Sequence, residues 1–185
     1  MAHVISVFGA NASSPGSADY EAARELGRRL AKLGMVVQTG GYGGVMEAAS
    51  RGAGEAGGHV IGVTCALFET AWALRPNRWV QEEIKQPTLR ARVVYLVEQC
   101  DGIITMPGGI GTLSELALAW SLMQAREIRR KPLIAVGGQW QRTLAAFVNP
   151  GYIAAQDLAL LTLARTPAEA VRLLQQQLAN TGSNP

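Results

Sequence analysis

Cysteine and histidine are nearly absent: Cys65, Cys100, His3 and His59 are the only ones in 185 residues. Two cysteines are too few for a disulfide framework, and none of the four is spaced as a metal ligand set. Lysine is scarce too, limited to Lys32, Lys85 and Lys131. None of the three lies in a glycine loop, which excludes a chemistry built on a pyridoxal Schiff base. Long apolar runs are missing, so no segment approaches the roughly 18 residues of a membrane span. The start, MAHVISVFGAN, lacks the basic stretch and apolar core of a signal peptide. Charge is sparse, 17% of residues with a net +3, and no Lys/Arg block is interleaved with aromatics. Nothing supports a nucleic-acid partner; the mild basic balance better suits a small anion. The expectation is a cytoplasmic, reduced protein with no metal and no cofactor.

Glycine is abundant, with 21 residues clustered at turns, and 48% of the chain is hydrophobic, enough for one domain with a sizeable core. Short apolar runs recur at Val4–Phe8, Val36–Thr39, His59–Val63, Gly102–Met106 and Leu133–Val136, with a weaker one at Ala159–Leu163. Helical patterns lie between them near 18–33, 44–56, 88–99, 113–127 and 139–147. A last helix near 167–179 is announced by Thr166-Pro167-Ala168-Glu169, which supplies an N-cap, a first-turn proline and a capping acid. Strands alternating with helices predict a Rossmann-like, doubly wound α/β fold. Its mostly parallel sheet is flanked by helices on both faces, and ligands bind beyond the carboxyl ends of the strands. Residues 66–87 break the rhythm and read as an irregular flap, and 180–185 read as a disordered tail after a single domain over 1–179.

Two loops stand at strand-to-helix joints. One holds Gly40, Gly41, Gly43 and Gly44; the other holds Gly108, Gly109 and Gly111, followed by Thr112. Bare backbone beside a helix N-terminus, with its unpaired N–H groups and partial positive charge, is suited to phosphate. Tight turns alone would also account for one such loop. Neither loop completes the dinucleotide fingerprint GxGxxG, and no Gly-Lys-Ser/Thr of a P-loop occurs. A mononucleotide or a sugar phosphate remains.

Glu115 follows the second loop. Thr112-Leu113-Ser114-Glu115 fits a capping box, which needs no chemistry. In a first turn the helix dipole would also favour the ionised carboxylate, which suits stabilising an oxocarbenium-like centre during glycosidic cleavage. Arg90 and Arg92 are the local cations that would offset a phosphate beside that acid. Trp72, Arg75, Arg78 and Trp79 either close over a base by stacking and cation–π contact or only pack the irregular segment down. Trp120 and Met123 lie in a helix apolar on nearly every side, as for a core or a subunit interface.

Pro107-Gly108-Gly109-Ile110-Gly111-Thr112-Leu113-Ser114-Glu115 resembles the PGGxGTxxE signature of the LOG family. That family includes the cytokinin riboside 5′-monophosphate phosphoribohydrolases, often mislabelled lysine decarboxylases. The resemblance runs over roughly residues 3–179 and includes the GGxGGVMEAA-like stretch from Gly40, with Met46, and the strand near 57–63. It implies that the catalytic pair is Glu115 and Arg92. The latter lies fifteen positions before Pro107, where the family's MHERK segment has its arginine. That segment here reads Leu89-Arg90-Ala91-Arg92-Val93, keeping only the arginine. The glycine loops and Thr112 are then expected to hold the 5′-phosphate, with Arg90 and Met46 as secondary candidates. The implied activity is hydrolysis of the N-glycosidic bond of an AMP-like, purine nucleoside 5′-monophosphate by a homodimer without a cofactor, in the context of cytokinin biosynthesis. A second reading is a non-catalytic carrier of a phosphate-bearing cofactor, as in molybdenum-cofactor carriers, with Glu115 only a cap.

Overall fold

The computed structural model describes residues 2–181. The elements run β1 (Val4–Phe8), α1 (Ala18–Lys32), β2 (Val36–Thr39), α2 (Val45–Glu55), β3 (Val60–Cys65), α3 (Ala66–Trp72), β4 (Glu82–Gln86), α4 (Leu89–Glu98) and β5 (Gly102–Thr105). The chain continues through α5 (Ile110–Gln124), β6 (Leu133–Val136), α6 (Gly138–Phe147), α7 (Ala155–Leu158), β7 (Thr162–Ala164) and α8 (Pro167–Thr181). The strands form one sheet in the order β4-β3-β2-β1-β5-β6-β7, and all six pairings are parallel. The chain builds outward from β1 through β2 and β3 to β4, then crosses back to place β5 on the other side of β1. The strand order therefore reverses between β1 and β5, and a crevice opens outside their carboxyl ends.

The alternation of side chains along each strand sorts the core into two layers. Ile5, Val7, Val37 and Ile104 pack with Tyr20, Leu26 and Leu30 of α1, Ala48 and Ala49 of α2, and Leu174 of α8. Phe8, Val63 and Ile103 pack with Leu96 of α4, Leu116 and Met123 of α5, and Trp140 of α6. Both faces of the sheet are covered, which is why its central strands read as continuous apolar runs. The Trp140 indole donates to the Met106 carbonyl at 3.0 Å. Trp120 donates to the Asp157 carbonyl at 2.7 Å, so Trp120 and Met123 serve the packing of this layer.

Several boundaries differ from the sequence reading. Residues 66–87 are not irregular throughout: they contain α3 and the edge strand β4. The latter reads Glu82-Glu83-Ile84-Lys85-Gln86, mostly exposed and charged, as edge strands are when they resist further pairing. The weak strand lies at Thr162–Ala164 rather than 159–163, because residues 159–161 form the turn that leaves α7, with Leu160 N–H donating to the Asp157 carbonyl at 3.2 Å and Leu161 N–H to the Leu158 carbonyl at 3.1 Å. The expected cap of α8 is present, with the Thr166 hydroxyl accepting from Glu169 N–H at 3.2 Å. That helix continues through Asn180 and Thr181, so these two residues are helical rather than tail; the rest of the expected tail, 182–185, lies outside the described residues. Among the described residues, no helix is long and apolar enough to cross a membrane.

Candidate functional site

Three loops meet at the crevice, and Ala10 ties them together. Its N–H donates to the Pro107 carbonyl at 3.0 Å, and its own carbonyl accepts from Val45 N–H at 2.9 Å. The loops after β1, β2 and β5 are thereby fixed to one another, with the N-termini of α2 and α5 on either side. The first-turn N–H groups of a helix have no intrahelical acceptor, and among the described residues no side chain caps either helix; in α2 the Ala10 carbonyl takes the Val45 N–H, as above.

The two glycine loops are not equivalent. In the first, Gly40, Gly41 and Gly44 are buried and Gly43 is half-buried. Gly44 has φ +66°, and a methyl there would collide with the Ala10 carbonyl, so this glycine is required by the close approach of the β1 loop. A methyl on Gly40 would collide with the Arg92 guanidinium. In the second loop, Gly109 and Gly111 are exposed, and a methyl on either would meet nothing within 4 Å. Gly108 is braced by Gln139, whose amide accepts from its N–H at 3.0 Å and donates to its carbonyl at 2.7 Å. Gln139 carried no signal in the sequence beyond its place just inside α6. The open backbone is thus concentrated at the start of α5.

That start is also earlier than the sequence suggested. Gly109 is the N-cap, so Thr112 is the third residue of α5 and is buried, its side chain against Gly108. The capping box built on Thr112 does not form, and Glu115 sits in the second turn instead of the first. A helix dipole acts mainly within the first turn, and burial governs Glu115: its carboxyl is pushed up to about 7, with the Arg92 charge offsetting only part of the desolvation. The expectation of a firmly ionised carboxylate is therefore corrected to one that titrates near neutrality.

Arg92 is the buried hub, 5% exposed, on α4. Its Nε donates to the Val63 carbonyl at 2.7 Å, and Nη2 donates to the Gly40 carbonyl at 2.9 Å, with Met46 Sδ at 3.8 Å. The guanidinium carbon lies 5.5 Å from the Tyr42 ring centre and 5.6 Å from that of Phe68, within cation–π range. The remaining nitrogen, Nη1, faces Glu115 Oε1 at 4.0 Å, the outer limit of an ion pair. Burial lowers the arginine's pKa from its ordinary value, and Glu115 is the first charge that counters this. One guanidinium thus holds β3, the first glycine loop and α4 in register and presents a single edge to the acid.

Met46 is brought to this cluster. Arg90 is exposed, and residues two apart on a helix point to different sides, so it does not share the face of Arg92. Tyr42 is buried, its hydroxyl accepting from Cys65 N–H at 2.8 Å. Phe68 was overlooked because it lies in the segment read as irregular. Asn77 fastens that segment to the first loop: its N–H donates to the Gly41 carbonyl at 2.8 Å, and its amide to the Gly41 and Tyr42 carbonyls at 3.0 Å each. Among the described residues, no three His, Cys, Asp or Glu side chains are grouped as for a metal ion.

The sheet order and the crevice define a Rossmann-like α/β protein with two uncapped helix N-termini flanking a buried arginine–glutamate pair. The model of the SLOG cluster4 family matches residues 2–145, and the chain belongs to that family. It is 31% identical over 181 residues to a rice protein named probable cytokinin riboside 5′-monophosphate phosphoribohydrolase LOGL5, covering 89% of this chain and 69% of the relative. It is 30% identical over 184 residues to the Arabidopsis thaliana cytokinin riboside 5′-monophosphate phosphoribohydrolase LOG7, covering 93% and 81%. Among solved structures, the molybdenum cofactor binding protein of Rippkaea orientalis superposes with a TM-score of 0.75 at 28% identity, covering 95% of this chain and 97% of that one.

Proposed function

We propose that the chain hydrolyses the N-glycosidic bond of a purine nucleoside 5′-monophosphate, releasing the free base and ribose 5-phosphate. The observation that carries this reading is the buried Glu115 carboxyl facing Arg92 Nη1 one turn beyond the open N-terminus of α5. The 5′-phosphate is bound by the N–H groups of Gly109, the N-cap of α5, and of Gly111 and Thr112 in its first turn, with Gly108 held in place by Gln139. Gly43 and the start of α2 flank it from the other side, while Gly40, Gly41 and Gly44 allow the close packing beneath. Held there, the ribose presents its anomeric carbon to Glu115, which supplies orientation. Ionised Glu115 stabilises the cationic ribosyl centre as the bond from the anomeric carbon to the base nitrogen breaks; it takes a proton from the water whose oxygen bonds that carbon, and the departing purine takes up one proton from solvent. Arg92 Nη1 orients that carboxylate and balances the charge of phosphate and acid together. We include in the proposal a homodimer formed through α5, whose outward side carries exposed Ile110, Leu113 and Ala117.

A chromatographic assay of wild type and Glu115→Gln on AMP and N6-substituted adenosine monophosphates tests the reaction. Wild type is expected to release base, at a rate rising with pH through about 7, and Glu115→Gln to bind the nucleotide without turnover. The likeness to the molybdenum cofactor binding protein supports a second reading, in which the same helix N-terminus holds a phosphate-bearing cargo for delivery. No base release by a wild type that binds the nucleotides, together with a phosphorylated cofactor that copurifies, would establish that reading instead.

A further inference from the structure

Resting on the nucleotide reading above, we infer that Trp72 is the platform on which the purine base stacks, and so a specificity-determining residue of this site. Three of the four tryptophans are accounted for by packing. Trp140 donates to the Met106 carbonyl in the core and Trp120 to the Asp157 carbonyl of α7. Trp79 is half-buried with its ring against Gly54 near the far end of α2, and Arg78 covers it from 4.8 Å. Trp72 is 65% exposed. It is also the outermost member of a ring series that begins at the buried pair: Arg92 against Tyr42 and Phe68, Tyr42 and Phe68 with centres 5.9 Å apart, and Phe68 and Trp72 with centres 4.8 Å apart.

The series runs in the direction the substrate must take. With the phosphate at α5, which follows β5, and the anomeric carbon at Glu115, the base extends away from α5. Crossing the carboxyl ends of β1 and β2, it reaches α3, which follows β3 without an intervening loop. The arm that carries Trp72 is fixed at both ends. It is continuous with β3 on one side, and after the left-handed turn at Ala73 (φ 52°) it is tied back to Gly41 through Asn77. An indole held rigidly beside a site, one face supported by Phe68 and much of it uncovered, is a preorganised stacking surface.

The test measures binding in the Glu115→Gln background, where no turnover is expected, with AMP and ribose 5-phosphate as the two probes. Trp72→Ala is expected to weaken AMP about tenfold, within the range for loss of one base–aromatic stack, and to leave ribose 5-phosphate unchanged. Trp72→Phe should restore most of the loss, and AMP should quench tryptophan fluorescence in the parent but not in Trp72→Phe. Equal weakening of both probes, no weakening of either, no measurable AMP binding, or a change only in oligomeric state would each overturn the assignment. Its failure is separable from that of the hydrolase reading. Trp72-dependent AMP binding by a wild type that releases no base removes the hydrolase and leaves the platform standing; base release with Trp72-independent affinity does the reverse.

Discussion

Glu115→Gln should make the protein more stable relative to wild type as pH rises. The carboxyl titrates at about 7 in the folded chain against an ordinary 4.5, because burial outweighs the Arg92 charge at 4.0 Å. A group whose folded pKa is raised binds its proton more tightly when folded. Wild type therefore has its full share of stability below about pH 4.5 and loses it as pH climbs through 7. Integrated between pH 5 and pH 8, the loss is roughly 2–3 kcal/mol. The side chain is 12% exposed, so solvent screening leaves most of this in place. Glutamine matches the protonated acid in shape and cannot ionise, so the variant lacks this slope. Urea unfolding of both proteins at a series of pH values, followed by circular dichroism, gives the difference directly. A difference that stays flat within about 0.5 kcal/mol would mean that Glu115 titrates like a solvated acid, since a burial effect should give several times that. A difference of the opposite sign would mean that Arg92 dominates and the carboxylate is firmly ionised.

Gly111→Ala should separate stability from binding. It adds a better helix former in open space, for a gain of up to about 1 kcal/mol, while placing a methyl over the N-terminus of α5; ribose 5-phosphate affinity, measured by calorimetry, should fall roughly tenfold as for a lost charged hydrogen bond. Gly40→Ala forces the Arg92 guanidinium and Met46 aside, and thermal or urea unfolding should show a loss of about 1–3 kcal/mol from overpacking together with loss of turnover. Lys131→Met should cost about 2 kcal/mol by the same methods and leave turnover unchanged, because the buried ammonium satisfies the carbonyls of Val97, Glu98 and Cys100 at the end of α4, away from the crevice.

What could be read in advance follows the physics of each element. The parallel core strands and the long helices were legible because both sheet faces are buried and the apolar periods are strong, and Thr166-Pro167-Ala168-Glu169 announced its helix by local hydrogen bonding. Edge strand β4 was hidden because an edge carries charge rather than an apolar run. Glu115 was located by its motif, but its titration was misjudged. A helix start at Ile110 instead of Leu113 moves the acid by one turn, out of the dipole's reach and into a buried setting. The glycines were all conspicuous as letters. Only three-dimensional contacts separate Gly40 and Gly44, which are filled by Arg92 and the Ala10 carbonyl, from Gly109 and Gly111, which are open.

The same contacts decide which substitution can distinguish a catalyst from a carrier. Arg92 is an obvious choice and a poor one. Removing it strips two buried carbonyls of their donor, opens the space that Gly40 leaves, and strands a buried acid. Breaking such a buried pair costs about 3–5 kcal/mol. An inactive Arg92→Ala would therefore report a collapsed first loop as readily as a lost chemical role. The Glu115 carboxyl is tied to the rest of the fold far more lightly: among the described residues its ion-pair partner is the one guanidinium edge left over by that packing, at 4.0 Å. Its neutral amide keeps the volume and relieves a desolvation cost, so the fold should survive the change. A loss of turnover in Glu115→Gln with nucleotide affinity intact can then be assigned to the carboxyl itself. This is what a hydrolase requires and a carrier does not.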